Sequence, residues 1–231
     1  MKTPTKTEAS QILKQRILAM EIAPGQLLDE AELAEEFGIS RTPLREVIQR
    51  LAGEGYLVLE PNRGAKVAPM DLPTMRQFFQ AAPMIYAAVA RLAAENGTAV
   101  QIAKLREIQA AYRQSIAAGV VTETALQNHR FHEQIGVMAA SPYLMPSLNR
   151  LLIDHARISQ TFYRMRDRSD SARISTAADQ HDAMIDAFER HAGAEAVELT
   201  LAHWALSRDR LETYVSPDPL PFDAEGFANA V

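Results

Sequence analysis

Residues 32–69, ELAEEFGISRTPLREVIQRLAGEGYLVLEPNRGAKVAP, contain the patterns that specify the fold of the first part of the chain. Its middle predicts a helix, because four apolar residues recur at i, i+3, i+4 and i+7: Leu44, Val47, Ile48 and Leu51. A shorter helix precedes it. Asp29 is a plausible N-cap for this helix, with Glu32 three residues later, and Gly38 is a natural left-handed stop.

Two further patterns complete this region. Residues 56–60 have the composition of a strand, 61–64 of a turn and 65–68 of a returning strand. Upstream, an apolar stripe that includes Ile12, Ile17 and Met20 predicts a first helix, which we expect Pro24-Gly25 to break. Two helices joined by a three-residue turn and followed by a β-hairpin predict a winged helix-turn-helix.

The third helix carries polar side chains opposite its apolar face: Arg41, Thr42, Arg45 and Gln49. Arg41, Arg45 and Gln49 are spaced at i, i+4 and i+8, so they project together. An arginine fork can pair with guanine O6 and N7, and a glutamine with adenine. Arg63 at the wing tip is placed to reach the DNA backbone or minor groove, and Gly64 allows a close approach.

The alternative is that these side chains are solvated charges on an exposed helix. Charge order along the chain favours the DNA-binding interpretation, since three arginines stand against one glutamate between residues 41 and 50. Before Gly38 the acids cluster: Asp29, Glu30, Glu32, Glu35 and Glu36. This segregation predicts a docking face beside an acidic face that does not dock.

From about Ile12 to Pro69 the sequence resembles the DNA-binding domain of GntR-family bacterial transcription factors. The resemblance implies that Arg41, Thr42 and Arg45 touch the operator and that the wing around Arg63-Gly64 assists. Many relatives carry an arginine where this chain has Ala31. One operator contact is therefore expected to be missing or replaced.

Composition bounds the remaining possibilities. The chain has 231 residues, 47% of them hydrophobic, a net charge of −5 and no cysteine. The lack of cysteine excludes a disulfide framework, a cysteine–zinc finger and a thiol nucleophile. The net charge argues against a polybasic nucleic-acid binder. Neither a secretory apolar region nor a membrane-length apolar run is visible, which predicts a cytoplasmic protein with no membrane partner.

The fold class expected is mainly α, with a winged helix-turn-helix over residues 1–70 and an all-α helical bundle over residues 71–215. We expect about six helices in the bundle, a kink at Pro83, and Pro142 in the first turn of a helix. Three prolines between residues 216 and 231 predict an irregular tail.

Four polar residues of the bundle suggest a metal site. Asn128 and His132 are four residues apart and share a helix face, while His181 and His203 lie mid-helix among apolar neighbours. Three imidazoles and an amide oxygen from three helices could surround a divalent cation. The alternative from spacing alone is that each histidine is an ordinary core or surface residue.

The segment NHRFHEQIGVMAASPYL, residues 128–144, is similar to the FCD effector domain of the FadR subfamily of GntR regulators. The resemblance implies that Asn128, His132, His181 and His203 are ligands of a divalent metal such as Zn²⁺, Ni²⁺ or Mn²⁺. It also implies a homodimer and a small-molecule effector, with an organic acid as one candidate.

Two departures from that family affect the effector site. Asn128 replaces a usual aspartate, which should weaken metal retention but strengthen the attraction for an anion. Residues 80–84, QAAPM, lack the arginine that grips a carboxylate in many relatives. Trp204 is expected to be a core residue rather than a ligand contact. The candidate lining residues of the effector pocket are Tyr86, Arg91, His155, Arg157 and Tyr163.

The function expected is a ligand-responsive regulator, not an enzyme, whose two winged domains in a homodimer bind double-stranded palindromic operator DNA. A first alternative is an HD-type metal-dependent phosphohydrolase, built on His181-Asp182 with His132, His155 and Asp209. A second alternative is a winged module that binds only protein.

Overall fold

The computed structural model describes residues 4–164 and 168–215, apart from the side chains of residues 168, 169 and 207–215. The tail expected to be irregular, residues 216–231, lies outside the described residues. The fold class is confirmed: the described chain is mainly helical, with a small antiparallel sheet between the third and fourth helices.

The N-terminal part is a winged helix-turn-helix. Its elements are α1 (Lys6–Leu18), α2 (Glu30–Phe37), α3 (Arg41–Gly53), β1 (Leu57–Glu60) and β2 (Gly64–Val67). Asp29 caps α2 as predicted, since its Oδ1 accepts from the N–H groups of Ala31 and Glu32 at 2.8 and 3.1 Å. Gly38 ends the helix with φ +62°. The strands pair with Leu57 opposite Val67.

The prediction for the end of α1 was wrong. The helix stops at Leu18, six residues before Pro24-Gly25, and Met20 follows with φ +62°. The N–H of Glu21 returns to the carbonyl of Arg16 at 2.9 Å, which closes the last turn. A backbone hydrogen bond, not the proline, therefore ends this helix.

The C-terminal part contains six helices within the described residues, in agreement with the expected number. They are α4 (Leu72–Asn96), α5 (Ala99–Ala118), α6 (Val121–Ala139), α7 (Leu144–Phe162), α8 (Arg168–Glu189) and α9 (Gly193–Val215). Helix α4 continues through Pro83. The assigned helix α7 begins at Leu144, and Pro142 lies in the turn that leads into it. Ser141 caps this turn, since its Oγ accepts from the N–H of Leu144 at 3.2 Å and its carbonyl from the N–H of Met145 at 3.0 Å.

Two hydrophobic cores share one helix. The main core of the bundle gathers buried side chains of α4 to α9, among them Phe131, Leu148, Leu152, Met184 and Phe188. The core of the winged domain contains side chains of α1, α2, α3 and both strands, and it also takes in Ile153 and Ala156 of α7. Helix α7 therefore packs into both parts of the molecule.

Candidate DNA-binding surface and buried histidine cluster

The polar face of α3 is exposed and borders a groove of about 630 Å³ next to the wing. Four of the six predicted DNA contacts line this groove: Arg41, Arg45, Arg63 and Gly64. Thr42 and Gln49 are exposed on α3 but are not among the lining residues. Gly64 has φ +84°, a conformation that glycine adopts without strain. The groove therefore joins the recognition helix to the wing tip.

Acidic residues enter this groove, contrary to the charge segregation expected from the sequence. Asp29 and Glu30 both line it, and Glu30 Oε2 accepts a hydrogen bond from Arg45 Nε at 3.0 Å. Hydrogen bonds from backbone N–H groups lower the pKa of Asp29, and the charge of Arg41 adds to the effect. Charge order along the chain failed as a guide because the start of α2 lies beside α3 and the wing.

Ala31 also lines the groove. The position at which many relatives carry an arginine therefore falls within the candidate DNA-binding surface. The departure seen in the sequence removes a donor from this groove and leaves Arg41, Arg45 and Arg63 as its cationic side chains.

The second candidate site is a buried cluster of His132 from α6, His181 from α8 and His203 from α9. One nitrogen from each lies within 4.8 Å of the others. The ring centroids are 5.4 Å apart for His132 and His181, 5.5 Å for His132 and His203, and 4.6 Å for His181 and His203. The fold thus brings together three residues that are separated by up to 71 positions in the chain.

Two glutamines orient this cluster, and no sequence pattern indicated either of them. Gln109 Nε2 donates to the carbonyl of Ala178 at 2.8 Å, so its Oε1 is left to accept from His181 Nδ1 at 3.1 Å. This arrangement places the proton of His181 on Nδ1 and leaves a lone pair on Nε2. Gln180 Oε1 lies 3.1 Å from His203 Nδ1 in the same manner.

The atoms that remain around the cluster fit a cation. Asn128 Oδ1, His132 Nε2 and His181 Nε2 are buried and have no hydrogen-bond partner among the residues that the structure describes. Leaving a buried polar atom unpaired costs about 1–3 kcal/mol. Imidazole nitrogen and amide oxygen are both metal ligands, and Asn128 shares a helix face with His132. This donor set therefore fits a divalent metal ion.

Burial also sets the charge of the histidines. It lowers the pKa of His132 and His181 well below the usual value, and the neighbouring histidines lower it further. Burial lowers the pKa of His203 to about 4. All three side chains are therefore neutral near pH 7, which is the form of imidazole that binds a metal.

Two of the five effector-pocket candidates adjoin the cluster. Tyr86 OH and His155 Nδ1 are hydrogen-bonded at 2.9 Å. Their rings lie 5.5 Å and 5.0 Å from the ring of His132. Burial and the charges of His203 and His129 lower the pKa of His155 to about 3, so it too is neutral near pH 7.

Tyr163 is linked to the cluster through a second tyrosine. Its hydroxyl lies 3.0 Å from that of Tyr112, whose ring is 4.9 Å from the ring of His181. Tyr163 also lines a cavity of about 430 Å³ between α5, α6 and α8. Tyr112 therefore lies between His181 and the tyrosine that lines this cavity.

The other two candidates lie elsewhere. Arg157 is buried, forms an ion pair with Asp154 and donates to the carbonyl of Ala68 at 2.6 Å. It therefore contacts the end of the winged domain. Arg91 is exposed on α4, beside Gly193. The sequence could not separate these arginines, because both occupy ordinary helix positions.

Asp182 does not face the histidine cluster. Its carboxylate accepts from Arg113 Nε at 2.9 Å, in an ion pair that is about 40% exposed. The side chain of Asp209, the other acid of the HD alternative, lies outside the described residues.

A winged helix-turn-helix with a basic groove, followed by a helical domain, defines a class of DNA-binding transcriptional regulators. Comparison with known proteins specifies the class further. Residues 5–67 match the family described as "Bacterial regulatory proteins, gntR family", and residues 77–206 match the FCD domain. The chain belongs to the GntR-family regulators with an FCD domain.

Curated relatives are regulators of the same type. The chain is 27% identical to the galactonate operon transcriptional repressor of Escherichia coli, over 91% of this chain and 98% of the relative. It is 34% identical to the Nta operon transcriptional regulator of Aminobacter aminovorans, over 36% of this chain and 40% of the relative. It is also 34% identical to the E. coli repressor RspR, over 45% of this chain and 46% of the relative. The last two matches thus span less than half of the relative.

Solved structures show the same fold. E. coli McbR/YncC superposes with a TM-score of 0.72 at 19% identity, over 89% of this chain and 97% of that one. A GntR regulator from Rhodococcus sp. RHA1 gives 0.62 at 18% identity, over 91% and 95%. No helix among the described residues is both long and apolar enough to cross a membrane.

Proposed function

We propose that this chain is a FadR-subfamily regulator that binds a palindromic operator as a homodimer and changes its operator affinity when a small effector binds beside a metal. Residues 1–70 would bind DNA, and residues 71–215 would bind the effector and form the dimer. The observation that carries effector control is the position of α7, which touches both the histidine cluster and the winged domain.

On one side, α7 is tied to the cluster and to α6, the helix that carries His132 and Asn128. His155 is hydrogen-bonded to Tyr86 and its ring lies 5.0 Å from that of His132. Three residues earlier, the carbonyl of Leu152 is 3.3 Å from His129 Nδ1 of α6. A change in the position of α6 or Tyr86 would therefore act directly on α7.

On the other side, α7 is fixed to the winged domain. Besides the apolar contacts of Ile153 and Ala156, Arg157 donates to the carbonyl of Ala68, and Gln160 Nε2 donates to the carbonyl of Leu18 at 3.2 Å. Asp154 pairs with Arg157 and also with Arg150 at 2.9 Å. These contacts supply a physical connection through which a ligand could bias the winged domain.

Metal binding by Asn128, His132, His181 and His203 is supported by the unpaired buried atoms and the neutral histidines. Zn²⁺, Ni²⁺ and Mn²⁺ are the candidate ions. With a neutral Asn128 as the fourth ligand, the ion keeps its full charge and attracts an anion such as an organic acid. Tyr86, His155 and Tyr163 are the proposed effector-pocket residues near this ion. Arg157 is proposed to couple α7 to the winged domain. Arg91 is assigned neither to the effector pocket nor to this coupling.

Operator contacts are proposed for Arg41, Thr42, Arg45, Gln49, Arg63 and Gly64. Arg45 is the main candidate for base recognition, since Glu30 holds its Nε and its two terminal nitrogens remain to form a bidentate pair with guanine. A protein that acts on the chromosome of a bacterium works in the cytoplasm, where we place it.

An enzymatic function is not proposed. An HD phosphohydrolase requires the aspartate of the HD pair as a metal ligand, but Asp182 pairs with Arg113. A winged module that binds only protein would have no use for three arginines on one groove. The lack of any salt-dependent DNA affinity would favour that alternative.

The test begins with selection of binding sites from random double-stranded DNA, using protein purified without chelator or nickel resin. Operator affinity is then measured by fluorescence anisotropy, with metal, after its removal, and with a panel of organic acids that includes galactonate. We expect a palindromic sequence and a change in Kd of about fivefold or more on ligand binding. Failure to select a sequence would refute operator binding, and a constant Kd would refute effector control.

Asn128→Asp tests the fourth ligand separately. A carboxylate in place of the amide should retain metal more tightly, because it adds a negative charge to the ligand set. Competition with a chelator measures this change. Equal metal affinity in both proteins would show that Asn128 is not a ligand.

A further inference from the structure

Trp204 carries a buried hydrogen-bond donor that no group in the described chain accepts. The residue is 6% exposed, and its Nε1 has no partner. An indole nitrogen can only donate, so an acceptor must come from outside the described residues or the N–H stays unpaired. The sequence alone favoured a core residue here, and a core tryptophan usually finds such a partner.

The indole borders the histidine cluster. Trp204 follows His203 on α9, and its ring lies 5.8 Å from that of Tyr86 and 6.3 Å from that of His155. Both of these rings adjoin His132. The aromatic rings of Phe78 and Phe79, at 5.4 and 5.9 Å, form an apolar wall around the same indole.

The unpaired atoms of this region are of two chemical kinds. Asn128 Oδ1 and His181 Nε2 offer lone pairs, which a cation satisfies. The indole N–H of Trp204 carries a partial positive charge, so a cation cannot satisfy it. A metal ion alone therefore leaves one buried polar group unpaired, while a metal ion together with an oxygen-bearing anion satisfies both kinds.

We infer that Trp204 is a ligand-contacting residue, whose Nε1–H donates to an oxygen of a small anion held at the histidine cluster. This inference rests on the proposed effector site. The N–H selects anions that have an acceptor oxygen at this position, because an anion without one leaves the buried donor unpaired. It provides a directional contact in a pocket region that lacks the carboxylate-binding arginine.

Trp204 is the single tryptophan of the chain, so a ¹H–¹⁵N spectrum contains one indole resonance that needs no further assignment. The full chain is titrated with Zn²⁺ alone, and then with acetate, inorganic phosphate and galactonate, in zinc-loaded and zinc-free protein. We expect zinc alone to leave the indole proton without a hydrogen-bond shift. At least one anion should move it downfield and saturate.

Trp204→Phe keeps an aromatic ring and removes the N–H. Calorimetry should show about tenfold weaker binding of the same anion, as expected for loss of one charge-assisted hydrogen bond, with zinc binding unchanged. Tyr143→Phe, which removes one polar group from an exposed aromatic side chain outside the site, is the matched control. It should keep both affinities.

The outcomes separate this inference from the proposed metal site. An anion that binds without moving the indole resonance, or that binds Trp204→Phe equally well, overturns the assignment of Trp204. The same conclusion follows if zinc binds and none of the three anions does. If zinc is not retained but an anion still moves the resonance, Trp204 stands and the metal proposal fails. If neither zinc nor any anion binds, both fail.

Discussion

The groove beside α3 and the histidine cluster are built in opposite ways. The groove is lined by residues 27–31, 41, 45 and 62–64, and its charged side chains are largely exposed to solvent. The cluster draws on residues 132, 181 and 203 from three helices, all of them buried and neutral near pH 7. The groove is formed by segments within residues 27–64, whereas the cluster depends on the packing of helices whose histidines are up to 71 residues apart.

The difference has an energetic consequence. The arginines of the groove remain hydrated in the free protein, so replacing one should alter DNA binding with little effect on folding. The histidines have already lost their hydration, and their orientation depends on neighbouring side chains such as Gln109. Changes in and around the cluster should therefore act through metal retention, and the two regions can be perturbed independently.

The largest effect is expected from removing two metal ligands. Protein purified without chelator should contain about one ion per chain, and His132→Ala/His203→Ala should retain none, because too few protein ligands remain for stable coordination. Mass spectrometry measures the content. His191→Ala is the control, since His191 lies outside the cluster with its Nδ1 at 2.7 Å from the carbonyl of Ala94. Equal metal content in the double variant and in the unmodified protein would show that the cluster does not bind the metal.

In the exposed groove beside α3, Arg45→Ala should weaken specific operator binding by about 1–3 kcal/mol. The reason is the loss of a bidentate base contact. Thermal stability should stay nearly unchanged, because the arginine side chain is 64% exposed. Anisotropy with the selected operator gives the affinity, and Arg50→Ala on the same helix serves as control. Equal losses in both variants would mean that Arg45 acts only through its charge.

Gln109→Leu tests a residue that does not bind the metal itself but orients the proposed ligand His181. Without an acceptor for His181 Nδ1–H, the imidazole loses its fixed tautomer, and metal affinity should fall by about 10–100-fold. Chelator competition measures this. Gln134→Leu is the matched control, since its Nε2 donates to the carbonyl of Gln101 at 3.3 Å, outside the cluster. Unchanged metal affinity in Gln109→Leu would show that this hydrogen bond does not orient the ligand.

The smallest effect is expected for Lys66→Ala in the wing. Lys66 forms an ion pair with Glu60 across the hairpin, and such surface pairs contribute about 0–1 kcal/mol. Operator affinity should fall weakly and equally for specific and unrelated DNA, which titrations at several salt concentrations would show. A loss confined to the specific operator would instead place Lys66 among the base contacts.

Much of the winged domain could be predicted, because its signals are local. The apolar repeat from Leu44 to Leu51, the Asp29 cap and the Gly38 stop each act within a few residues, and all three are present in the structure. The end of α1 was missed because a non-glycine residue, Met20, adopts the left-handed conformation there. Glu30 was predicted to lie on an acidic face away from DNA, but it lies in the groove. The sequence could not show this because its partner Arg45 is fifteen residues away, on another helix.

The bundle was predicted in outline but not in its contacts. The number of helices agrees with the expectation within the described residues, and the proposed metal ligands followed from family resemblance rather than from spacing. Gln109, which selects the tautomer of His181, and Arg157, which reaches the carbonyl of Ala68, carry no sequence signal of their own. Their functions depend on partners 72 and 89 residues away.

Helix periodicity, caps and turns depend on interactions between near neighbours, so the elements, the winged helix-turn-helix and the family could be predicted from the sequence. Three features are consequences of tertiary packing alone: acids share the groove with arginines, three distant histidines meet, and α7 joins the cluster to the winged domain. Those features require segments far apart in the chain to pack together, and packing also sets the burial that makes the histidines neutral and leaves the indole of Trp204 without an acceptor.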